Sequence, residues 1–311
     1  CAQGKVELIM NIQRVCVIGG TGFVGRHLVA RLARDGIPLR ILARHPQRHR
    51  DLGVPPGNEV LAVDSYTTSA LAELMTGCDA VVNLAGILNE HRRVSFRQVH
   101  VELVEQVVEA CKLAGVHRLL HMSALKASET GGASLYLRSK GEGENRAHTL
   151  GQPSVLVTSF RPSVIFGADD TFINRFRQLM RIPGPLPLAC PTARFAPVYV
   201  GDVADAFARA LPDRLTAGHR YQLCGPRVFT LHEIVRYIAW YSGIHKGVIG
   251  LNDSLSRLQA RILGSLPGKP FTMDNFRSLQ VDSVCDEDGL AALGITSTDM
   301  DAVVPGFLSR R

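Results

Sequence analysis

Tyr136 and Lys140 stand four residues apart, so in a helix both side chains emerge on one face. Ser123 lies thirteen residues before the tyrosine, at the end of the strand expected over His117–Ser123. A phenol with a free pKa near ~10 is a poor base at neutral pH, and a nearby ammonium favours its charged form. Lys140 can supply that ammonium and also hydrogen-bond a nicotinamide ribose, while Ser123 can polarise a substrate carbonyl. Ser123, Tyr136 and Lys140 are therefore the candidate catalytic set. A Y-x-x-x-K spacing alone recurs by chance on surface helices. Here it gains weight from its order behind a second signal.

That signal is Val15-Cys16-Val17-Ile18-Gly19-Gly20-Thr21-Gly22-Phe23-Val24-Gly25, which reads as strand, phosphate turn and helix. Gly19, Gly22 and Gly25 have G-x-x-G-x-x-G spacing, suited to a tight turn, close approach of backbone to a pyrophosphate, and close packing of helix on strand. Val24, Leu28 and Leu32 follow at helical spacing, and the helix N-terminus offers unpaired N–H groups to an anion. Thr21, Phe23 and Val24 join the three glycines as expected cofactor contacts.

The elements that must position these groups alternate. Pro38–Ala43 reads as a second strand followed by Arg44-His45-Pro46-Gln47-Arg48. An NAD site usually places a carboxylate about 20 residues past the glycines; Arg44 stands there instead, with Arg48 beyond it, and a guanidinium suits a 2′-phosphate. NADP(H) is favoured over NAD(H). Glu59–Asp64 is a third strand whose Asp64 could meet an adenine amine or cap the next helix. Asp79–Gly86 is a fourth, ending in Ala85 and Gly86, where backbone passes close to the cofactor. A long helix is expected over about Phe96–Ala114, a fifth strand over His117–Ser123, a helix from about Ser134, and a sixth strand over Val155–Phe160. Such alternation means an α/β, Rossmann-type doubly wound parallel sheet.

Beyond Gly167 the pattern loosens, and Ile182–Pro187 is too rich in proline for a central element. The expected division is an extension at 1–11, an NADP(H)-binding domain at 12–167 with returning segments at about 195–225, and a smaller substrate or lid lobe at 168–194 and 226–311. Met10 is expected near the natural start, with residues 1–9 coming from a tag or an upstream reading frame. In the lid, a helix near Ser254–Leu263 carries Leu255, Leu258 and Ile262 on one side and Arg257 and Arg261 on the other. Burial of that apolar side in the lobe is expected, with a membrane surface as the alternative.

The 311 residues carry 35 basic and 28 acidic side chains, a net charge of +7 that favours anionic partners. No nucleic-acid-binding motif appears, so no nucleic acid is expected. Seven cysteines without a C-x-x-C fit neither a disulfide framework nor a zinc site, and point to a reduced, cytoplasmic chain. His232-Glu233 lacks the second histidine of a zinc helix, so no metal is expected. No apolar run is long enough to span a membrane.

Taken in order, the glycine turn, Asn83-Leu84-Ala85-Gly86, His121-Met122-Ser123-Ala124, Tyr136-x-x-x-Lys140, Arg161-Pro162-Ser163-Val164-Ile165-Phe166-Gly167 and Val200-Gly201-Asp202-Val203-Ala204 resemble an extended or atypical short-chain dehydrogenase/reductase. Tyr136–Lys140, Phe195–Val200 and Met273–Arg277 are similar to bacterial relatives of the nucleotide-binding accessory subunit of respiratory complex I. The resemblance implies an NAD(P)-binding Rossmann domain with a substrate lobe, catalytic Ser, Tyr and Lys, and cofactor contacts at Arg161, Pro162 and Val164. One departure is His100, where sugar-nucleotide epimerases carry asparagine. It weakens the epimerase reading and leaves the cofactor site untouched.

Two functions follow. The first is an NADP(H)-dependent oxidoreductase or epimerase-like enzyme acting on a carbonyl or sugar-nucleotide substrate. The second is a non-catalytic NADP(H)-binding accessory or assembly protein of a membrane complex of the complex I type, peripheral to the inner membrane.

Overall fold

The computed structural model describes residues 8–91 and 94–308; most of the extension expected at 1–9 lies outside them. Seven strands, β1 (Val15–Ile18), β2 (Leu39–Ala43), β3 (Glu59–Ala62), β4 (Ala80–Asn83), β5 (Arg118–Met122), β6 (Leu156–Pro162) and β7 (Arg220–Leu223), form one sheet. Its order is β7-β6-β5-β4-β1-β2-β3, with every neighbouring pair parallel. β1, β4 and β5 are buried throughout, which is why β1 and the start of β4 run apolar on both faces rather than alternating, while β5 buries Arg118 and His121 as well.

Helices α1 (Phe23–Arg34), α2 (Thr68–Met75), α3 (Leu103–Leu113) and α4 (Leu135–Gly151) make four of the five connections among the first six strands, and a 3-10 segment at Pro46–Gly53 joins β2 to β3. α5 (Thr171–Met180) leaves for the smaller lobe, and α6 (Val200–Ala210) returns beside α1. One face of the sheet buries Val15, Val17, Leu28, Leu32 and Phe207 against α1 and α6. The other buries Cys16, Ile18, Leu71, Val104 and Val108 against α2, α3 and α4. Strand order reverses between β1 and β4, so a crevice opens outside their carboxyl ends. Arg118 is fully buried on β5, yet its guanidinium donates to the carbonyls of Leu156, Ala210 and Leu211 and to the hydroxyls of Thr158 and Thr216. Burial pushes its pKa down to about 10, and those acceptors keep the cation in place.

The smaller lobe holds α5, α7 (Leu231–Tyr241), α8 (Asp253–Ser265), α9 (Met273–Ser278) and α11 (Met300–Leu308). Its core contains Ile173, Ile234, Ile238, Phe276 and Val304. Between α9 and α11, α10 (Gly289–Ala292) packs on β7, and Leu290 and Ile295 join the core under α1 and α6. The chain therefore returns to the large domain once more after residue 225.

Three sequence expectations need correction. The long helix is not continuous α-helix: a π-turn at Gln98–Glu102 precedes α3 and carries His100. Cys224 and Cys285 form a disulfide, their Cα atoms 6.0 Å apart. They are 61 residues apart in sequence, and the fold alone brings the end of β7 to the segment before α10. Finally, α8 does not bury its large apolar residues. Leu255, Leu258 and Ile262 are 49%, 50% and 56% exposed, while Ser256 and Ala260 are fully buried.

Candidate functional site

The crevice begins at the glycine turn. Gly19 holds φ +79°, a left-handed conformation, and a Cβ on Gly25 would lie 2.3 Å from the Gly19 carbonyl oxygen. These two glycines shape the turn and let α1 touch it. Gly22 differs: it is exposed, at φ −77° and ψ 176°, with open space around its Cα apart from an ordinary contact. It precedes α1, whose N-terminus has no side-chain cap and no carboxylate in its first turn. Unpartnered N–H groups in an open concavity suit an anion. Phe23 packs toward Gly167 and edge-on to His27, closing the side of the turn, while Thr21 and Val24 are half-buried beside it.

At the neighbouring strand ends, polar atoms stand buried without partners. Asn83 accepts from the Ala85 N–H through Oδ1, but its Nδ2 has no hydrogen-bond partner. Ser123 Oγ and both ring nitrogens of His121 are likewise unsatisfied. Native proteins rarely leave such groups orphaned, and here they gather at the switch point. Gly86 is exposed, and a Cβ there would sit 3.3 Å from Lys140 Nζ. These residues fit a dinucleotide whose diphosphate meets the glycine turn and whose polar head meets the ends of β4 and β5.

α4 brings Tyr136 and Lys140 to the same place. Ser134 caps it by accepting from the Leu137 N–H, and Asp274 of α9 accepts from the N–H groups of both Leu135 and Tyr136, at 2.7 and 3.0 Å. The lid thus fixes the first turn of the helix that carries the tyrosine. The Tyr136 ring packs edge-on against Phe96 and His100, with centroids 5.9 and 5.6 Å away. His100 accepts from the Ile87 N–H at Nε2, and its Nδ1 lies 2.8 Å from Ser139 Oγ, which donates to the Tyr136 carbonyl. Lys140 is buried and donates to the Met122 carbonyl at 2.8 Å.

The electrostatics differ from the sequence expectation. Burial pushes the Tyr136 phenol up to about 12, with no compensating lowering from Lys140. Burial also pulls Lys140 down to about 8, against the opposing pull of Glu144. In this arrangement the Tyr136 phenol is protonated at neutral pH.

Other expected contacts are dispersed. Arg44 and Arg48 are exposed beyond β2 and make no ion pair among the described residues. The turn that follows is tied to α1 by Arg26, which pairs with Asp51 and meets His49. Asp64 is exposed and does not cap α2, whose N-cap is Thr67. Arg161 is committed elsewhere, doubly bonded to the fully buried Glu144 at 2.5 to 3.0 Å. Pro162 and Val164 offer their carbonyls to Leu125 and Val198. Sequence reasoning missed the unsatisfied His121 and the cap from Asp274, although Asp274 lay within a segment already singled out.

Three histidines on the α3–α4 side of the sheet are held neutral. Burial, aided by Lys140, pushes His100 down to about 2. Burial and the charges of Lys140, His148 and His100 hold His121 well below the usual 6.5. Burial, with Arg220 and Arg161, takes His148 to about 4. Unfolded, all three titrate near ~6.5, so below that pH the unfolded chain binds protons that the native state refuses. The stability they allow is full above pH ~6.5 and is lost on acidification, each histidine costing about 1.4 kcal/mol per pH unit until its folded pKa is reached. Urea midpoints are therefore expected to fall steeply from pH 6.5 to 5, and His148→Gln should flatten the slope. A midpoint constant over that range would reject neutral burial.

Residues 19–147 match a family model described as NAD(P)H-binding. The chain is 30% identical over 297 residues to the NADH dehydrogenase (ubiquinone) 1 alpha subcomplex subunit 9 of Rattus norvegicus mitochondria, covering 92% of this chain and 77% of that one. It is 35% identical over 193 residues to a ceramide reductase of Caulobacter vibrioides, covering 61% and 58%. Among solved structures, an NADPH-dependent quinone oxidoreductase from Escherichia coli, complexed with NADPH, superposes with a TM-score of 0.75 over 94% of this chain and 99% of that one, at 19% identity. The continuous coverage of both lobes, together with the glycine turn and parallel sheet, gives the identification: the chain belongs to the NAD(P)-binding, short-chain dehydrogenase/reductase-like family that includes the alpha subcomplex subunit 9 of NADH dehydrogenase.

Proposed function

We propose that the protein is an NADP(H)-dependent reductase of a carbonyl compound, with Ser123, Tyr136 and Lys140 as its working set. One observation carries this reading. Ser123 Oγ is buried without a partner just past β5, next to the Met122 carbonyl that holds the buried Lys140, and Tyr136 lies one turn before Lys140 on α4.

The bound cofactor supplies a hydride. The chain's own residues do the rest: Ser123 Oγ donates a hydrogen bond to the carbonyl oxygen, and Tyr136 gives that oxygen its proton. Lys140, anchored by the Met122 carbonyl, hydrogen-bonds the ribose and stabilises the phenolate left behind. His100 and Phe96 hold the ring in place. Burial keeps this phenol protonated at neutral pH, so the proton it gives is in place when substrate binds. Reductases stand among the relatives.

The 2′-phosphate selects NADPH through Arg44, with Arg48 one turn on. A charge-assisted contact of this kind contributes about 1.5–3 kcal/mol. Arg44→Ala is expected to weaken NADPH by roughly 10- to 100-fold and to spare NADH. Equal affinity of the parent for the two cofactors in a titration would sink this assignment.

A second reading is favoured by one observation, the likeness to the NADH dehydrogenase subunit across 92% of the chain. In it, NADPH is a tightly held structural cofactor and the protein assembles with a respiratory membrane complex. Loss of turnover in Tyr136→Phe distinguishes the two readings.

A further inference from the structure

In α8 the usual amphipathic order is inverted. The side facing the lobe is built of small residues: Ser256 hydrogen-bonds the Cys190 N–H and the Leu251 carbonyl, Ala260 is fully buried, and Gly264 lies against Phe271 and Thr272. The large residues point outward. Leu255, Leu258 and Ile262 fall within one quadrant of the helix, and Leu266 follows at its C-cap, each about half exposed. Three residues before the Asn252 cap, Ile249 is 54% exposed on a strand paired with Leu186–Leu188, and Gln259 of α8 donates to the Pro187 carbonyl of that same strand. Ile182, 57% exposed, is joined to the segment before that strand by Lys246, which donates to its carbonyl and to that of Leu179. α8, the strand before it and the turn at Ile182 thus adjoin, and all three expose large apolar side chains.

The surroundings of this apolar surface are basic. Residues 171–193 and 243–272, which form α5, the paired strands and α8, hold seven Lys and Arg side chains against one carboxylate, Asp253. They account for nearly all of the chain's net charge of +7. Asp253 is itself paired with Arg257 at 2.7 Å, and Arg261 flanks the strip without an ion pair among the described residues. A soluble protein rarely exposes a contiguous apolar strip without a use for it. Leucine and isoleucine bordered by long basic side chains match the acyl boundary and headgroups of an anionic bilayer, whereas a second copy of this chain would oppose positive charge to positive charge.

We propose that the outer face of α8, with Ile249 and Ile182, seats the protein in the plane of an anionic membrane surface. The proposal is independent of the catalytic set: the strip positions the smaller lobe on lipid whether the crevice turns over a substrate or only holds a cofactor.

The test is flotation of the full chain with vesicles of phosphatidylcholine alone and of phosphatidylcholine with about one-third phosphatidylglycerol, for the parent, Leu258→Glu/Ile262→Glu and Arg261→Glu. Because the substituted side chains are half exposed, these variants are expected to melt like the parent and to keep its NADPH affinity. The parent should bind the anionic vesicles at least ~10-fold better than the neutral ones, and less at high salt. The double variant should lose ~10-fold or more of that binding, and Arg261→Glu several-fold. Equal binding by parent and double variant would overturn the proposal, as would a parent that floats with neither vesicle. A parent that is dimeric in solution, is made monomeric by the double variant and does not float would assign the strip to a second copy instead. If the double variant fails to fold, Arg261→Glu and the salt dependence of the parent still decide, since binding indifferent to both excludes an anionic surface.

Discussion

Tyr136→Phe is expected to lower NADPH-dependent turnover by ~10²–10⁴-fold while leaving NADPH affinity unchanged, as loss of a positioned proton donor does. The expectation rests on what the substitution keeps and what it removes. The ring still packs edge-on against Phe96 and His100, and the Leu135 and Tyr136 N–H groups are still held by Asp274, so α4 keeps its place. Only the hydroxyl is lost, and that hydroxyl carries the proton. Lys140→Ala should behave differently. Its ammonium is buried against the Met122 carbonyl and close to Gly86, and under the proposed function its removal strips a ribose contact and the counter-charge of the phenolate together. Affinity and turnover should both fall. The measurement pairs cofactor titration with NADPH oxidation over carbonyl and sugar-nucleotide substrates, for parent, Tyr136→Phe and Lys140→Ala. Turnover that survives in Tyr136→Phe rejects the catalytic assignment. In the accessory reading, Tyr136→Phe leaves both cofactor affinity and complex assembly intact, whereas Lys140→Ala damages both.

The parallel sheet was legible because burial on both faces writes continuous apolar runs, as in Val15–Ile18 and Ala80–Asn83, each ending where small residues begin. The glycine turn was legible for a related reason, since the space required at Gly25 leaves no alternative residue. What the sequence did not disclose depends on partners distant along the chain. Asp274 meets the N-terminus of α4 across 138 residues, and Cys224 meets Cys285 across 61. The π-turn around His100 leaves no mark in a periodicity that reads equally well as continuous helix. The Tyr136–Lys140 spacing established a shared face, but spacing carries no dielectric. Burial decides the protonation state, and burial here raises the phenol instead of lowering it. In α8 the period was read correctly and its direction was not, because a 3.6-residue stripe fixes which residues share a face and leaves open whether that face meets protein or solvent.

Gly22→Val is expected to abolish detectable binding of NADPH and NADH alike, with little loss of stability. Gly22 lies at φ −77° and ψ 176°, extended backbone that a β-branched residue adopts readily, so no left-handed strain arises. A Cβ there would meet only the Gly19 carbonyl oxygen at 3.4 Å, an ordinary contact, and the rest of the side chain would extend into open space. Under the proposed function, that open space receives the diphosphate at the N-terminus of α1. The substitution therefore removes the site and spares the fold, at a cost of about 1 kcal/mol for placing valine at an N-cap position. Gly25→Val is the informative contrast. Gly25 is buried, and its Cβ would lie 2.3 Å from the Gly19 carbonyl oxygen and 2.6 Å from the Gly20 Cα, backbone that cannot turn aside. That variant is expected to lose more than about 4 kcal/mol or not to fold. Calorimetric titration and thermal melting of the two variants separate the roles. Parent-like cofactor affinity in Gly22→Val would place the diphosphate away from this turn, and a parent-like melt in Gly25→Val would show that α1 does not rest on the turn as described.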